Sequence, residues 1–372
     1  PVPTAARLGG AEPVTVAATM GHLTWVFCAF IPLVLLFVLD GLRGVRQLWP
    51  LAVVSGLATG AGHFVTPSVS YELTAVLASL LGLAASYVFL LVWTPTTPRE
   101  YRSQVDAADV PTPERVVLAL LPYVLVVAMI AVTKLWKVGF DLSQVLSGTD
   151  VKIRWPGVYG DLLNAGGEPS ASAVYTLQIL SNPGTWIFAT GVVVTVVYAA
   201  RSVPGRFEMS LGQGLRTLAS TCYNLRLAVL TIVSVMALAY VMNFSGQTSA
   251  IGAALAATGA AYAFLSPVLG WIGTAVAGSA TSAGALFANL QATAAAGAGL
   301  DPNVLLAANT IGGGIGKIVS PQNLAIATTA VDAPGQDAEL LRRAAPYSLG
   351  LLLALCSLVL VASQGWLGNY LP

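Results

Sequence analysis

Six stretches of this chain, residues 23–40, 73–93, 116–136, 185–200, 217–242 and 346–362, are apolar runs close to the length that crosses a bilayer. Inside hydrocarbon every backbone N–H and C=O must be paired within the segment, so runs of about 20 residues become helices. Two further regions are less regular. Residues 49–65 are short and glycine-spotted, and either cross thinly or dip in and return. Residues 251–331 form one long apolar block rich in Ala, Gly, Ser and Thr, with no polar linker to divide it. Of 372 residues 56% are hydrophobic and 9% charged, against roughly 25% charged in a soluble domain. The expected fold is an all-α polytopic membrane protein, with re-entrant or broken helices in the irregular regions.

Charge placement orients the spans. Loops 41–50 (Arg43, Arg46), 94–115 (Arg99, Arg102, Arg115), 201–216 (three arginines) and 332–345 (Arg342, Arg343) are expected on the cytoplasmic side. Segment 137–184 carries Asp141, Asp150, Asp161 and Glu168 against Lys137, Lys152 and Arg154, with Trp-Pro-Gly and Asn-Pro-Gly turn signals, and is expected outside. The chain then divides into the end of an N-terminal transmembrane half (1–93), a cytoplasmic loop and connecting helix (94–136), an extracytoplasmic segment (137–184) and a C-terminal transmembrane half with broken helices (185–372). A net charge of +1 argues against nucleic acid, whose binding domains concentrate basic charge on one surface. Cys28, Cys222 and Cys356 are far apart in apolar surroundings and read as small hydrophobes; no metal and no cofactor is expected. The start at Pro1, with no charged n-region or cleavage site, predicts no signal peptide and a missing N-terminal part of the same protein.

Residues 307–331, AANTIGGGIGKIVSPQNLAIATTAV, insert glycines, a lysine and SPQN into an apolar run. Gly312, Gly313, Gly314 and Gly316 each weaken helix by roughly 1 kcal/mol relative to Ala, and Pro321 removes a backbone donor. A break is expected there, and broken apolar segments are where secondary transporters bind solutes. Upstream, GSATSAGALFAN at 278–289 reads either as the tip of a re-entrant hairpin offering Ser279, Thr281 and Ser282 to a solute, or as a small-residue helix contact. Two such elements in succession read as a site. Helix ends stopping inside the membrane present free N–H groups and partial positive charge that suit a carboxylate. Lys317 adds a full charge, or snorkels to the interface. Asn309, Thr310, Ser320 and Gln322 supply donors and acceptors of the kind a hydroxy-acid needs. The candidate substrate-binding set is Ser279, Thr281, Ser282, Asn309, Thr310, Gly312, Gly313, Lys317, Ser320 and Gln322.

Nucleotide motifs fail: Ile311 stands at the first glycine position of a P-loop and Ile318 follows its lysine, while Lys317 takes the third glycine position of a dinucleotide fingerprint. A membrane-embedded enzyme is the alternative class. It needs a paired acid and base, a metal cluster or an activated nucleophile, and the sequence has no HExxH and no close pair of acids within a span.

The run FLSPVLGWIGTAVAGSATSAGALFA at 264–288, followed by LAANTIGGGIGKIVSPQNLAIA at 306–327, resembles the bacterial L-lactate permease family. Asp40-Gly41 with Arg43-Gly44, and Asn243-Phe244-Ser245-Gly246, fall where that family has similar strings. The resemblance implies a symporter of the bacterial cytoplasmic membrane that imports lactate, and often glycolate, with protons. It further implies an inverted repeat whose other broken segments lie in the missing N-terminal part. A sodium-coupled or other small-carboxylate carrier is the rival reading. Where the family typically has Asp and Asn, this chain has Ala280 and Gly284, so the proton carrier must be sought elsewhere. Candidates are Glu72 at the start of a span, Asp301 between the two polar elements and Arg226 within a span. His22 and His63 lie near expected outer ends.

Overall fold

The computed structural model describes residues 2–68, 70–95, 112–133, 142–162, 173–202, 208–331, 333, 335–366 and 371. In chain order the elements are α1 (Val2–Leu8), α2 (Pro13–Val65), α3 (Thr74–Val92), α4 (Pro113–Thr133), α5 (Leu142–Ser147), β1 (Val151–Arg154), β2 (Val174–Leu177), α6 (Pro183–Ala200) and α7 (Leu211–Phe244). They continue with α8 (Gln247–Ala256), α9 (Tyr262–Ala277), α10 (Ala280–Ala298), α11 (Pro302–Gly316), α12 (Pro321–Ala330) and α13 (Asp337–Ser363). Short 3-10 turns occupy Thr66–Ser68, Gly259–Ala261 and Lys317–Val319. The chain clusters into two compact units, Pro1–Thr96 with Ala228–Pro372, and Thr97–Leu227.

In the first unit α2 is a helical hairpin. Asp40 (φ −142°, ψ 20°) and Gly41 (φ 58°, ψ −149°) leave helical space, and the positive φ makes glycine the natural residue at the turn. Its two arms, residues 13–39 and 42–65, then run side by side. Side chains at Gly21, Gly56 or Gly60 would strike the backbone carbonyls of His63, Ala29 and Trp25 on the opposite arm. Close backbone approach through small residues is how apolar helices associate when lipid removes the hydrophobic drive between them. The open question over residues 49–65 resolves to a continuous helix; the arm 42–65 is about 36 Å long at 1.5 Å per residue.

The centre of this unit is α9, α10 and α11, with α1, the first arm of α2 and α13 packed around them. Tyr262, Leu290, Leu305, Leu306 and Leu355 are fully buried there. By contrast Phe37, Leu83, Leu91 and many other large apolar side chains of α2 and α3 point outward, the arrangement lipid-facing helices require. The most apolar window of α4 has 0% of its residues buried, and that of Gly259–Ala277 has 39%, which separates lipid-facing helices from the core.

One expectation is corrected. The glycine run does not break the chain: α11 is helical through Gly312, Gly313, Gly314 and Gly316. A Cβ at Gly312 would meet the Pro267 carbonyl, one at Gly316 the Trp271 carbonyl, and one at Gly270 the Asn309 carbonyl. Positions 312 and 316 lie on one helix face. The glycines let α9 and α11 pack backbone to backbone, and that contact offsets their low helix propensity. The break falls one turn later, at Lys317–Ser320. Likewise only Gly278 and Ser279 leave helical geometry in the GSATSAG string; Ala280 onward is α10.

The second unit holds α4, α5, the β1–β2 pair and α6. Tyr198 donates to the Leu118 carbonyl at 2.7 Å, tying α6 to α4. β1 and β2 pair antiparallel, a short sheet that the all-helical expectation did not include. The turn at Trp155-Pro156-Gly157 forms as expected, with Gly157 at φ 71°, and Asn182 caps α6 by accepting from the Gly184 N–H at 2.8 Å. Lys137, Asp141, Glu168, Arg99, Arg102 and the end of the 116–136 span lie outside the described residues.

Candidate functional site

Two interruptions in the helices of the first unit meet. At the first, Gly278 adopts φ 69° and closes α9, its N–H donating to the Thr274 carbonyl at 2.7 Å. Ser279 is extended and opens α10, its hydroxyl accepting from the Ser282 N–H at 3.3 Å. At the second, the 3-10 turn Lys317–Val319 ends in an extended Ser320 (φ −76°, ψ 133°), and Pro321 starts α12. Ser320 repeats the Ser279 device, its Oγ accepting from the Asn323 N–H at 3.4 Å. Each serine satisfies one donor of a helix start that would otherwise be left without a partner.

Asn323 joins the two. Its side-chain amide donates to Ser320 Oγ at 2.5 Å and to the Gly278 carbonyl at 3.4 Å. The Gln322 side chain lies where a Cβ on Gly278 would stand, so that glycine is required both by its positive φ and by its neighbour. From α13 the buried Ser348 accepts from Trp271 Nε1 at 2.9 Å and donates to the Ile315 carbonyl at 3.2 Å, holding α9 and the end of α11 at a fixed distance below the breaks.

Behind the breaks lies a buried polar network. Gln291 of α10, wholly inaccessible, accepts from the Tyr262 hydroxyl at 2.9 Å and donates to the Ser266 carbonyl at 3.1 Å and to Asn309 Oδ1 at 3.2 Å. Ser266 donates to the Leu305 carbonyl at 3.2 Å. Two buried groups on this seam have no hydrogen-bond partner, Asn309 Nδ2 and Thr274 Oγ1. Thr274 Oγ1 lies 2.8 Å, and the Ala280 Cβ 3.5 Å, from the Cβ position of Gly313, so the unpaired hydroxyl sits directly beneath the start of α10. Across α11, next to the first arm of α2, a cavity of about 290 Å³ is lined by Thr24, Phe27, Cys28, Thr310, Gly314 and Leu351 among others.

Of the candidate residues, Ser279, Ser282, Ser320 and Gln322 gather at the meeting of the breaks, and Gly313 borders it through Thr274. Lys317 is exposed on the turn leading into it, and Thr281 is exposed on α10. Asn309 and Thr310 lie deeper: Asn309 joins the Gln291 network, and Thr310 donates to its own helix at the Leu306 carbonyl, 2.8 Å away. Gly312 serves helix packing. The three coupling candidates are dispersed. Asp301 is exposed and caps α11 by accepting from the Asn303 N–H at 2.8 Å. Arg226 is exposed, 3.6 Å over the ring of Tyr223. Glu72 is half-buried before α3 and accepts from the Ser70 hydroxyl at 3.3 Å. Beside it, the Tyr71 phenol is pushed up to about 12, first by burial and then by the negative charge of Glu72. Sequence reasoning missed Tyr262, Gln291, Thr274 and Asn323. Gln291 had a signal, being polar within an alanine-rich stretch; nothing local pairs it with Asn309, 18 residues away.

Long apolar helices with outward-facing hydrophobic side chains, and two serine-capped breaks that meet among them, define a multi-pass membrane protein of the broken-helix kind. The L-lactate permease family model matches residues 1–364, and the chain belongs to that family. It is 33% identical to the L-lactate permease of Bacillus subtilis over 93% of this chain and 65% of that protein. With the L-lactate permease of Escherichia coli K12 it shares 34% identity over 86% of this chain and 60% of the relative. With the glycolate permease GlcA of E. coli K12 it shares 28% over 94% and 65%. The chain thus spans 60–65% of the length of these relatives. No solved structure matches it.

Proposed function

We propose that the intact protein is a secondary transporter that imports lactate, and glycolate with it, across the bacterial cytoplasmic membrane together with protons. The observation that carries this reading is the junction of the two breaks. The starts of α10 and α12 bring two helix N-termini to one place, each with a partial positive charge of about half an elementary unit. Such ends bind anions without a metal or a titrating base. Ser279, Ser282, Ser320 and Gln322 border the carboxylate, and Lys317 supplies the one full positive charge on the turn that leads to it. The unpaired Thr274 hydroxyl and Asn309 amide stand as further donors on the same seam. Relatives named for L-lactate and for glycolate support a small 2-hydroxy-carboxylate as the substrate.

In this reading the described breaks form one side of the site and segments outside this chain form the other, related by an inverted repeat. The arginine-bearing loops face the cytoplasm. Transport, not bond chemistry, is the activity. Among the coupling candidates Asp301 caps α11, Arg226 is exposed and Glu72 accepts from Ser70; sodium is the alternative coupling ion.

The test is uptake of labelled lactate into vesicles carrying the intact protein under imposed proton or sodium gradients. A proton gradient should drive it, and Lys317→Ala and Asn309→Ala should each abolish it at normal membrane abundance. Undiminished uptake in both variants overturns the site. Uptake driven by sodium alone assigns the other coupling ion.

A further inference from the structure

We propose that the β1–β2 hairpin is a lipid-binding plate, lying flat in the membrane interface beside α6 with one face in the acyl-chain boundary. The register gathers four of its five apolar side chains on one face. Val151 pairs with Leu177 and Ile153 with Tyr175, while Lys152 pairs with Thr176 and Arg154 with Val174. Directly opposed residues share a face and neighbours alternate. One face is therefore Val151, Ile153, Tyr175 and Leu177, and the other carries Lys152, Arg154 and Thr176 together with Val174. A two-stranded sheet has no second layer of its own, and the four apolar side chains are 41–48% exposed.

That face continues an apolar surface. From Leu177 it passes through Ile179 and Leu180 onto α6, and the side chains from Val151 to Leu180 on this path are 38–48% exposed. On α6 the exposed Ile187 and Phe188 extend it along a shorter apolar helix. The hairpin is also fixed to the end of that helix. Thr185 Oγ1 donates to the Ile179 carbonyl at 2.5 Å, Trp186 Nε1 donates to the Leu180 carbonyl at 2.8 Å, and the Leu180 N–H donates to Thr149 Oγ1 at 3.3 Å. On this proposal α6 enters the bilayer through its apolar side chains, and a plate clamped to its end sits at headgroup depth. Trp155, its ring 6.5 Å from that of Tyr175, supplies the amphipathic aromatic character of membrane interfaces. On the opposite face Arg154 stacks 4.7 Å over Tyr159, and with Lys152 it keeps positive charge at the level of lipid phosphates.

Nitroxide accessibility in the intact protein tests this. Cys28, Cys222 and Cys356 are replaced by Ser, single labels are placed by Ile153→Cys, Tyr175→Cys, Lys152→Cys and Thr176→Cys, and the protein is reconstituted in phosphatidylcholine and phosphatidylglycerol vesicles. Labels at 153 and 175 should collide several times more with oxygen than with a water-soluble nickel chelate, and those at 152 and 176 the reverse. Equal aqueous exposure at all four positions overturns the proposal. So does exclusion of both reagents at 153 and 175, which identifies a protein cover. Trp155 emission in the unlabelled protein gives a second reading: acyl-brominated lipid should quench it, and Trp155→Phe should remove that component. Unchanged quenching in Trp155→Phe overturns the proposal as well.

Discussion

The side-chain amide of Asn323 donates across 3.4 Å to the backbone carbonyl of Gly278, 45 residues away, and joins the two chain breaks. Neither partner is a conventional binding residue. What the contact achieves is placement: the starts of α10 and α12 are held against each other, as the proposed anion site requires.

Removing that link should damage transport more than folding. Asn323→Ala deletes both side-chain hydrogen bonds, to Ser320 and to Gly278, a loss of about 1.5 kcal/mol, and where this orders the site before binding, uptake falls about tenfold. Gly278→Ala adds a methyl group where Gln322 lies and at a positive φ, and should be more severe. Uptake per unit of membrane-inserted protein is the measurement, and wild-type rates in both variants reject the link.

The glycine face of α11 predicts a position-specific pattern. Gly312→Leu and Gly316→Leu force α9 and α11 apart, and overpacking of this kind costs about 1–3 kcal/mol or more. Gly314 has nothing within 4 Å of its Cβ position, so Gly314→Ala should raise stability by up to about 1 kcal/mol through helix propensity. Thermal unfolding in detergent distinguishes the three; equal effects contradict the packing account.

Gln291 is the hub of the buried network, and Gln291→Leu leaves the Tyr262 hydroxyl and the Asn309 side chain without their shared partner. The expected loss is about 1–3 kcal/mol. Tyr262→Phe should cost less, and the double variant should cost less than the sum, because both changes remove the same 2.9 Å bond. Additive losses in a double-mutant cycle contradict this coupling.

Tyr71 carries a pH signature. Its phenol is raised from 10.0 to about 12 in the fold, so the folded state holds the proton more tightly than the unfolded chain. The associated stability is complete below pH 10 and is lost as pH rises towards 12. Glu72→Gln removes the charge contribution but leaves the burial, and should move the phenol part of the way back. Ultraviolet titration against Tyr71→Phe reads the shift directly.

Much of the fold is legible in the sequence, and for one reason. Inside lipid an apolar run of sufficient length has only the helix available to it, so the spans follow from composition, and the serine and glycine at 278–279 and the SPQN string mark where helices stop. The glycines at 312–316 were misleading because propensity is a local quantity. In isolation they weaken a helix, whereas against the backbone of α9 they are what permits contact. The β1–β2 pair was hidden for a related reason: strands this short gain their stability from pairing, and the alternation of Val151, Lys152, Ile153 and Arg154 gains meaning only opposite its partner strand. Sequence alone determined that this is a multi-pass helical protein with two polar interruptions. Only the tertiary structure decided that the interruptions meet, through Asn323 and Gly278, and that Gln291 finds Asn309, because contacts between distant residues depend on how closely α9 and α11 approach, and that distance is set by the absence of side chains at Gly270, Gly312 and Gly316.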